Sequence, residues 1–241
     1  RLMVFFGTGR KTPFTASQGD QYASGTQTFY GIWDYDMSNW NSIASIKYAT
    51  LSGTQSISRS TLLQQALVSQ TAGSGNGQVL GYRTLSTSNR VCWQGATDCT
   101  SNNNEYGWYF DLPDTNEQII YNPTIVEGAV VVNTAIPPTI SAIQCNPGLQ
   151  TGWTMAFDPA SGGGVKNGFF PGISGGFGAS DDGSVTSGIR VDAVGTVTTV
   201  KYGGDTYIVT QTVQGAAKLS KVNPPNNENP SRVSWREIRA N

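Results

Sequence analysis

Acidic side chains are the residues of this sequence whose type and spacing come nearest to a metal site. Asp181 and Asp182 precede Gly183, and Asp34 and Asp36 alternate in the run DYDMSN. Calcium takes about six to eight oxygen ligands, often from alternate carboxylates with a bidentate acid that closes the loop. Asp181 and Asp182 supply two side chains at most, and the Asp34 run lacks the glycine and closing glutamate of an EF-hand loop. Both are therefore weak calcium candidates, with a solvated turn as the competing interpretation.

Histidine is absent from the whole sequence. Its absence removes Ser-His and Cys-His nucleophilic catalysis, histidine metal sites and a histidine pH switch. The run Gly7-Thr8-Gly9 lacks the further glycine of a dinucleotide loop, and no Gly-Lys-Ser/Thr motif occurs, so a turn at the end of a strand is the preferred interpretation. These observations favour a protein that is not an enzyme.

The three cysteines are too few for a disulfide scaffold. Cys92 and Cys99 have six residues between them, including Gly95, a spacing that suits a disulfide closing a small loop. Cys145 is left without an obvious partner. Three reduced, small side chains are the alternative interpretation.

Charge is sparse along the chain. The 241 residues carry 15 Lys plus Arg against 16 Asp plus Glu, and 13% of residues are charged, about half the ~25% of ordinary soluble domains. A nucleic-acid partner is not expected, because such proteins usually present a basic surface. No apolar stretch approaches the ~20 residues of a spanning helix, so no integral membrane segment is expected.

The elements that must position these residues are short aromatic or β-branched segments separated by Gly, Asn, Ser and Pro, which predicts roughly a dozen strands of an all-β fold. Residues 119–126 and 129–136 flank Glu127-Gly128 and predict one hairpin, and residues 196–202 and 206–213 flank a glycine turn at 203–205 and predict another.

Two segments depart from this pattern. Thr61 is followed three positions later by Gln64, which predicts a capping box and a short helix. The glycine-rich run at residues 161–188 lacks periodicity and predicts a long loop or insertion.

Three segments resemble one another, FYGIWDYD (29–36), YGWYFDLP (106–113) and TGWTMAFDP (151–159). Each brings Gly near Trp and then an Asp. Tryptophan can fill the space between packed sheets, Gly permits close backbone approach, and Asp can cap the turn that leaves a strand. We therefore predict that Trp33, Trp108 and Trp153 are buried blade aromatics of a β-propeller, with an ordinary β-sandwich as the alternative. Trp40, in a polar stretch, is expected to be exposed.

Further motifs extend over nearly the whole chain. They are VFFGTGR (4–10), QTFYGIWD (27–34), residues 62–65 after Arg59, GYRTLS (81–86), YGWYFDLP (106–113), EQIIYNPTIVEGAVVVNTAIP (117–137), CNPGLQTGWTMAFDPASGG (145–163), YIVTQT (207–212) and RVSWREI (232–238). As an ordered set they resemble the C-terminal portion of the PilY family, large bacterial adhesins and biogenesis factors of type IV pili.

The resemblance implies an all-β, modified β-propeller of the PilY and quinoprotein-like type. Residues 1–241 would form the C-terminal part of that domain, with an incomplete set of blades, and the N-terminal region and upstream blades would be absent from this chain. The uncharged run Val130-Val131-Val132 is then expected in a core that the absent blades cover, beside open sheet edges.

The resemblance also implies a function. The chain would belong to an adhesin and biogenesis factor at the type IV pilus tip that supports pilus extension, surface adhesion and twitching motility. It would pass through the periplasm to the bacterial cell surface, and its oxidising environment favours the Cys92 and Cys99 disulfide. The implied partners are minor pilins of the tip complex and a host or abiotic surface. The family's calcium loop commonly lies upstream, so no cofactor is expected within this chain.

Two other functions stay open. One is a periplasmic or surface propeller scaffold that binds other proteins without a pilus. The other, more remote, is a quinoprotein-type dehydrogenase, because AFDPASGG (156–163) resembles an element of those propellers. The regular tryptophan-docked blades that such an enzyme needs are missing from the sequence.

Overall fold

The computed structural model describes residues 1–13, 21–73, 79–100, 102–138 and 149–225. Within them the chain is all-β, apart from a short helix, α1 (Ser38–Ile43), and a 3-10 turn (Arg59–Thr61). The strands are β1 (Leu2–Gly7), β2 (Lys11–Thr12), β3 (Gln21–Tyr22), β4 (Thr28–Asp34), β5 (Leu63–Gln65), β6 (Leu67–Ala72), β7 (Gly81–Ser86), β8 (Gly107–Asp111), β9 (Thr124–Val126), β10 (Ala129–Asn133), β11 (Trp153–Phe157), β12 (Ser184–Arg190), β13 (Ala193–Tyr202), β14 (Asp205–Thr212) and β15 (Ala217–Val222). The described chain has no helix with the length and hydropathy needed to cross a bilayer. Cys145 and the motif at 232–238 lie outside the described residues.

The strands form four sheets. A four-stranded sheet has the order β1-β4-β8-β5, a six-stranded sheet the order β6-β7-β12-β11-β10-β9, and a three-stranded sheet the order β13-β14-β15. The fourth sheet is the small pair β2-β3. All pairings between these strands are antiparallel except β5 with β8, which run parallel.

Two middle strands of the six-stranded sheet, β10 and β11, are buried on both faces. Successive side chains of a strand point to opposite faces, and in β10 Val130 and Val132 join one apolar core while Ala129 and Val131 join the other. All five residues of β10, and all five of β11, are buried. This double burial explains why both strands are continuous apolar runs, with few of the alternating polar residues of a half-exposed strand.

The other two large sheets provide the remaining walls of these cores. The core on one face contains side chains of the four-stranded sheet, which include Phe29, Trp33, Trp108 and Phe110. The core on the opposite face contains side chains of the three-stranded sheet, which include Ala193, Val197, Ile208 and Val222. The six-stranded sheet, called here the central sheet, therefore lies between the four-stranded and the three-stranded sheets.

Trp108 lies at the centre of the first core and is fully buried. A Cβ atom on Gly31 would lie 2.4 Å from the indole, and one on Gly162 would lie 2.2 Å from it. Its Nε1 donates a hydrogen bond to the Pro159 carbonyl at 3.0 Å. The glycine of the first repeat, Gly31, thus permits close approach, but to the tryptophan of the neighbouring strand.

The aspartates of the repeats have different roles. Asp158 accepts hydrogen bonds from the backbone N–H groups of Ala160 and Ser161 at 2.7 and 3.1 Å, so it caps the turn after its strand. Asp111 instead accepts a hydrogen bond from the Thr28 hydroxyl at 2.6 Å across the sheet.

Both expected hairpins are present. The strands of the first are shorter than expected, and so is the turn of the second. β9 and β10 pair around Glu127 and Gly128, which both have positive φ, at 43° and 93°. β13 and β14 pair from Tyr202 with Asp205, so their turn has two residues, Gly203 and Gly204, and not the three expected.

The prediction of a helix after Thr61 is wrong. The capping box is formed by Ser58 and Thr61 and encloses only a 3-10 turn. The following residues form β5, because Leu63 to Gln65 pair with β8. Tertiary pairing thus overrides the local helix signal.

The glycine-rich run at 161–188 is only partly a loop. Its last residues belong to β12, which pairs with both β7 and β11. Gly188 lies within that strand, where a Cβ atom would meet the Met155 sulfur at 2.3 Å.

The expectation that Val130 to Val132 need covering by absent chain is also wrong. β10 lies between β9 and β11, and both of its faces are covered within this chain. Among the described residues no sheet closes on itself, and the sheets contain four, six, three and two strands.

The exposures of Trp33 and Trp40 make these two tryptophans a matched pair. Trp33 is 2% exposed in the first core and Trp40 is 49% exposed. We expect Trp33→Ala to lower the free energy of unfolding by about 3–5 kcal/mol because it leaves a cavity. Trp40→Ala should cost about 0.5 kcal/mol or less, as at most surface sites. Urea denaturation of both variants tests this, and equal, small losses would contradict the assigned packing.

Candidate functional site

The candidate interaction surface is the outward face of the four-stranded sheet, called here the outer face. The β1 residues on this face are Leu2, Val4 and Phe6, which are 36%, 49% and 41% exposed. Register places them opposite β4, with Val4 opposite Ile32 and Phe6 opposite Tyr30. The intervening residues of β1 pack on the first core. One face of an edge strand is thus apolar and open to solvent, which is typical of a site for another protein.

Aromatic rings run across the outer face from β1 to β8. Phe6 stacks on Tyr30 with ring centroids 5.2 Å apart, and Tyr30 lies 6.2 Å from Tyr109. The three residues lie on adjacent strands, since Tyr30 is opposite both of the others in the register. Cross-strand aromatic pairs of this kind hold the surface in one arrangement.

Arg59 closes one end of the outer face. Its guanidinium lies 4.0 Å from the Tyr109 ring centroid and donates to Asp111 Oδ2 at 2.7 Å and to the Tyr30 hydroxyl at 3.0 Å. The hydrogen bond to Asp111 is the main reason that the pKa of Arg59 is raised, and the guanidinium stays charged. The outer face therefore has exposed apolar side chains on β1 and, on its opposite side, the ion pair of Arg59 with Asp111.

β1 also offers a free edge. It is the terminal strand of its sheet, and its only strand partner among the described residues is β4. Unpaired backbone groups on such an edge can accept a strand from another polypeptide.

The structure places the weak calcium candidates, Asp181 and Asp182, in an exposed turn before β12. Asp182 accepts a hydrogen bond from the Ser184 backbone N–H at 2.9 Å. Hydrogen bonding to Ser184 also lowers the pKa of Asp182. In the part of the chain that the structure describes, no three acidic, histidine or cysteine residues cluster as metal ligands do. The geometry is that of a turn cap.

The cysteines predicted to pair form a disulfide. The Cys92 and Cys99 sulfurs are 2.09 Å apart. Each backbone N–H in the pair donates to a nearby side chain, Cys92 to Glu105 at 2.6 Å and Cys99 to Asn103 at 3.0 Å. The closed loop carries Trp93, which meets Trp33 edge to face with centroids 6.0 Å apart. The disulfide thereby fixes a segment that packs on the first core.

The three predicted blade tryptophans are all buried, with Trp33, Trp108 and Trp153 exposed by 2%, 0% and 2%. They line the same core, although Trp33 and Trp108 come from the four-stranded sheet and Trp153 from the central one. Trp153 differs from the others because it touches a buried charge.

That charge is Arg83, which has no exposed surface. Its guanidinium lies 4.0 Å from the Trp153 ring centroid and donates two hydrogen bonds of 2.8 Å to the Glu117 carboxylate, which is also buried. Its Nε donates to Gln70 at 2.7 Å. Asp114 lies 3.1 Å from the guanidinium. Every charge in this cluster, called here the buried ion-pair cluster, has a partner.

Asp114 lies at the edge of the buried ion-pair cluster. Burial by itself would raise the pKa of Asp114, but hydrogen bonds from Gln70 and Trp153 and the charge of Arg83 lower it below its usual value. The carboxylate is therefore held ionised, and it ties Trp153 to the segment between β8 and β9 through a hydrogen bond of 2.8 Å.

The buried ion-pair cluster was not predicted from the sequence, although the motifs GYRTLS and EQII contain Arg83 and Glu117. A signal was present in GYRTLS, since alternation places Arg83 on the same face as the apolar Leu85. Nothing local identifies a glutamate 34 positions away as its partner.

A comparison with solved structures identifies a shared fold. No protein-family model and no curated protein matches this chain. The crystal structure of the Pseudomonas aeruginosa PilY1 C-terminal domain matches with a TM-score of 0.59 and 24% sequence identity. The match covers 92% of this chain and 41% of that one. The two chains share a fold.

The resemblance to PilY proteins is therefore confirmed at the level of the fold. This chain spans 41% of the length of the PilY1 C-terminal domain structure.

The buried ion-pair cluster predicts a large difference between two arginines. Arg83→Met should lower the free energy of unfolding by about 3–5 kcal/mol, because it leaves the Glu117 charge buried without its main partner. Arg59→Met is the control, since its ion pair with Asp111 is exposed and should contribute about 0–1 kcal/mol.

Urea denaturation measures both losses. The double variant Arg83→Met with Glu117→Gln should lose less than the sum of the two single variants, because each single change already breaks the pair. Additive losses, or an Arg83→Met loss no larger than that of Arg59→Met, would contradict the role of the cluster.

Proposed function

We propose that this chain is part of a type IV pilus tip-associated adhesin and biogenesis factor that supports pilus extension, surface adhesion and twitching motility. The observation that carries this proposal is the fold shared with the PilY1 C-terminal domain over 92% of the chain. The ordered motifs that resemble PilY proteins point the same way. The location that follows is the pilus tip at the bacterial cell surface, reached through the periplasm.

The outer face suits the proposed contact with a minor pilin. A strand of the pilin would pair with the free edge of β1, so backbone hydrogen bonds would provide affinity. Side chains of the incoming segment would cover Val4 and Phe6, which are half-exposed here. Contact with a host or abiotic surface would then be made by other parts of the protein.

We also propose that the protein is not an enzyme and has no cofactor within this chain. The absence of histidine from the sequence supports the first point, because it removes the commonest general base. A protein-binding scaffold without a pilus is the second candidate, and the apolar outer face would serve it equally well. Visible absorbance of a quinone cofactor in the purified protein would instead favour the dehydrogenase.

The sheets are proposed to be part of a modified β-propeller that further chain completes. The support is that the chain spans 41% of the solved domain whose fold it shares. In this arrangement the additional strands would continue from sheet edges other than the β1 edge proposed for the pilin, such as that of the exposed edge strand β6, since β10 is already covered on both faces.

The pilus function predicts a defect at one exposed position. In the bacterium that produces the protein, deletion of the gene should reduce surface pili and twitching, and the native gene should restore both. Phe6→Lys should fail to restore them, because it places a charge on the apolar outer face without disturbing a buried residue. Val200→Lys, at a 40% exposed position on β13, is the matched control and should restore both.

Counts of sheared pili and the diameter of twitching zones give the result. Unchanged piliation and twitching after deletion would overturn the pilus function. Restoration by Phe6→Lys would overturn only the role of the outer face.

The propeller proposal predicts how the 241-residue chain behaves alone. Open sheet edges recruit other strands, so the purified chain should form oligomers or aggregates. Val68→Lys, at a 47% exposed position on the edge strand β6, should shift it toward monomer. Light scattering coupled to size-exclusion chromatography measures the mass. A monodisperse native monomer would contradict the need for further blades.

A further inference from the structure

A cleft separate from the outer face runs along β15, the edge strand of the three-stranded sheet. It has a volume of about 470 Å³ and lies between β15 and Leu80, next to β7 of the central sheet. Its apolar walls include Val191, Val213 and Ala217. A smaller cavity of about 120 Å³ also borders β15, and Lys218 and Leu219 line both spaces. Lys218 therefore lies where the two cavities meet the strand.

The Lys218 side chain ends in an unusual environment. Its Nζ is shielded from solvent and has no hydrogen-bond partner among the described residues. Burial lowers the pKa of Lys218, and the nearby Asp192 charge only partly offsets this effect. An ammonium group without a partner is unfavourable away from water, so this position favours an anion beside it.

Asp192 does not serve as that anion. Its Oδ1 accepts hydrogen bonds from the Gly152 backbone N–H at 3.0 Å and from Arg190 Nε at 3.3 Å. Its backbone is held as well, because its carbonyl accepts a hydrogen bond from the Val213 N–H at 3.0 Å. Oδ1 of Asp192 is thus engaged by other donors, and Lys218 Nζ has no hydrogen-bonded anion among the described residues, although the charge of Asp192 lies near it.

We propose that this cleft binds an aliphatic carboxylate. Lys218 lines the cleft, and its Nζ, which is shielded from solvent in the structure, would turn toward the carboxylate and donate a charge-assisted hydrogen bond to it. The aliphatic part would pack against Val213, Ala217 and Leu219, so the ligand would need a charged head and an apolar body. A free carboxylic acid and the C-terminus of a protein that ends in an aliphatic residue share this chemistry.

Two ligands that differ in one group test the proposal. N-acetyl-leucine carries the carboxylate, and N-acetyl-leucinamide has the same body without the charge. Each is titrated into the ¹⁵N-labelled 241-residue chain carrying Val68→Lys, the change expected to shift it toward monomer, and backbone amide shifts are followed by NMR. We expect the acid to shift residues 212–219 and to bind at least about tenfold more tightly than the amide.

Two lysines of β15 provide the matched variants. Lys218→Met should weaken binding of the acid by about tenfold or more. Lys221→Met should not weaken it, because Lys221 is exposed and pairs with Asp205 at 2.7 Å. Equal binding of acid and amide, no binding of either, or full binding by Lys218→Met would each overturn the proposal. The acid and amide comparison is made with Lys218 unchanged, so it decides the question even if Lys218→Met fails to fold.

A pentapeptide with a C-terminal leucine separates the two sources of the carboxylate. Tighter binding of the peptide than of N-acetyl-leucine would support a protein C-terminus as the ligand. Equal or weaker binding of the peptide would support a small acid.

Discussion

The structure depends on burial of the middle strands of the six-stranded sheet from both sides. Successive side chains of these strands enter the two cores in turn, as Trp153 and Ala156 do on opposite faces of β11. Neither core can form from the central sheet alone, because each needs a wall from another sheet. The fold is therefore set by long-range contacts between segments that are distant in the chain, which places most of its stability outside any single hairpin.

The same constraint explains what the sequence could and could not predict. Glycine turns are local, so the hairpins at Gly128 and at Gly203 were predictable from a few residues. The segment after Thr61 has an equally local helix signal, yet it becomes a strand because β8 offers a parallel partner from a distant part of the chain. Likewise, Gly188 looks like a loop residue in sequence, although it is a strand residue that makes room for Met155.

The same difference between local sequence signals and long-range contacts applies to the functional features. The Cys92 and Cys99 disulfide is predictable because its spacing is short, and the buried tryptophans are predictable because their motifs repeat. The outer face was not predicted, since only the sheet order reveals that β1 is an edge strand with one face uncovered. Alternation along β15 places Lys218 on the same face as buried Val222 and Lys221 on the opposite, exposed face. Alternation does not show that the Lys218 amine lacks a hydrogen-bond partner, because that depends on neighbours from distant parts of the chain.

The packing of Trp108 between Gly31 and Gly162 has an evolutionary consequence. The Trp108 indole occupies the space that a side chain at Gly31 or at Gly162 would need, so both positions require glycine. A change at one of the three positions is thus harmful until a compensating change follows at another. Gly31, Trp108 and Gly162 should drift as a linked triplet across homologous sequences, and their joint replacement would identify lineages in which this core has been rebuilt.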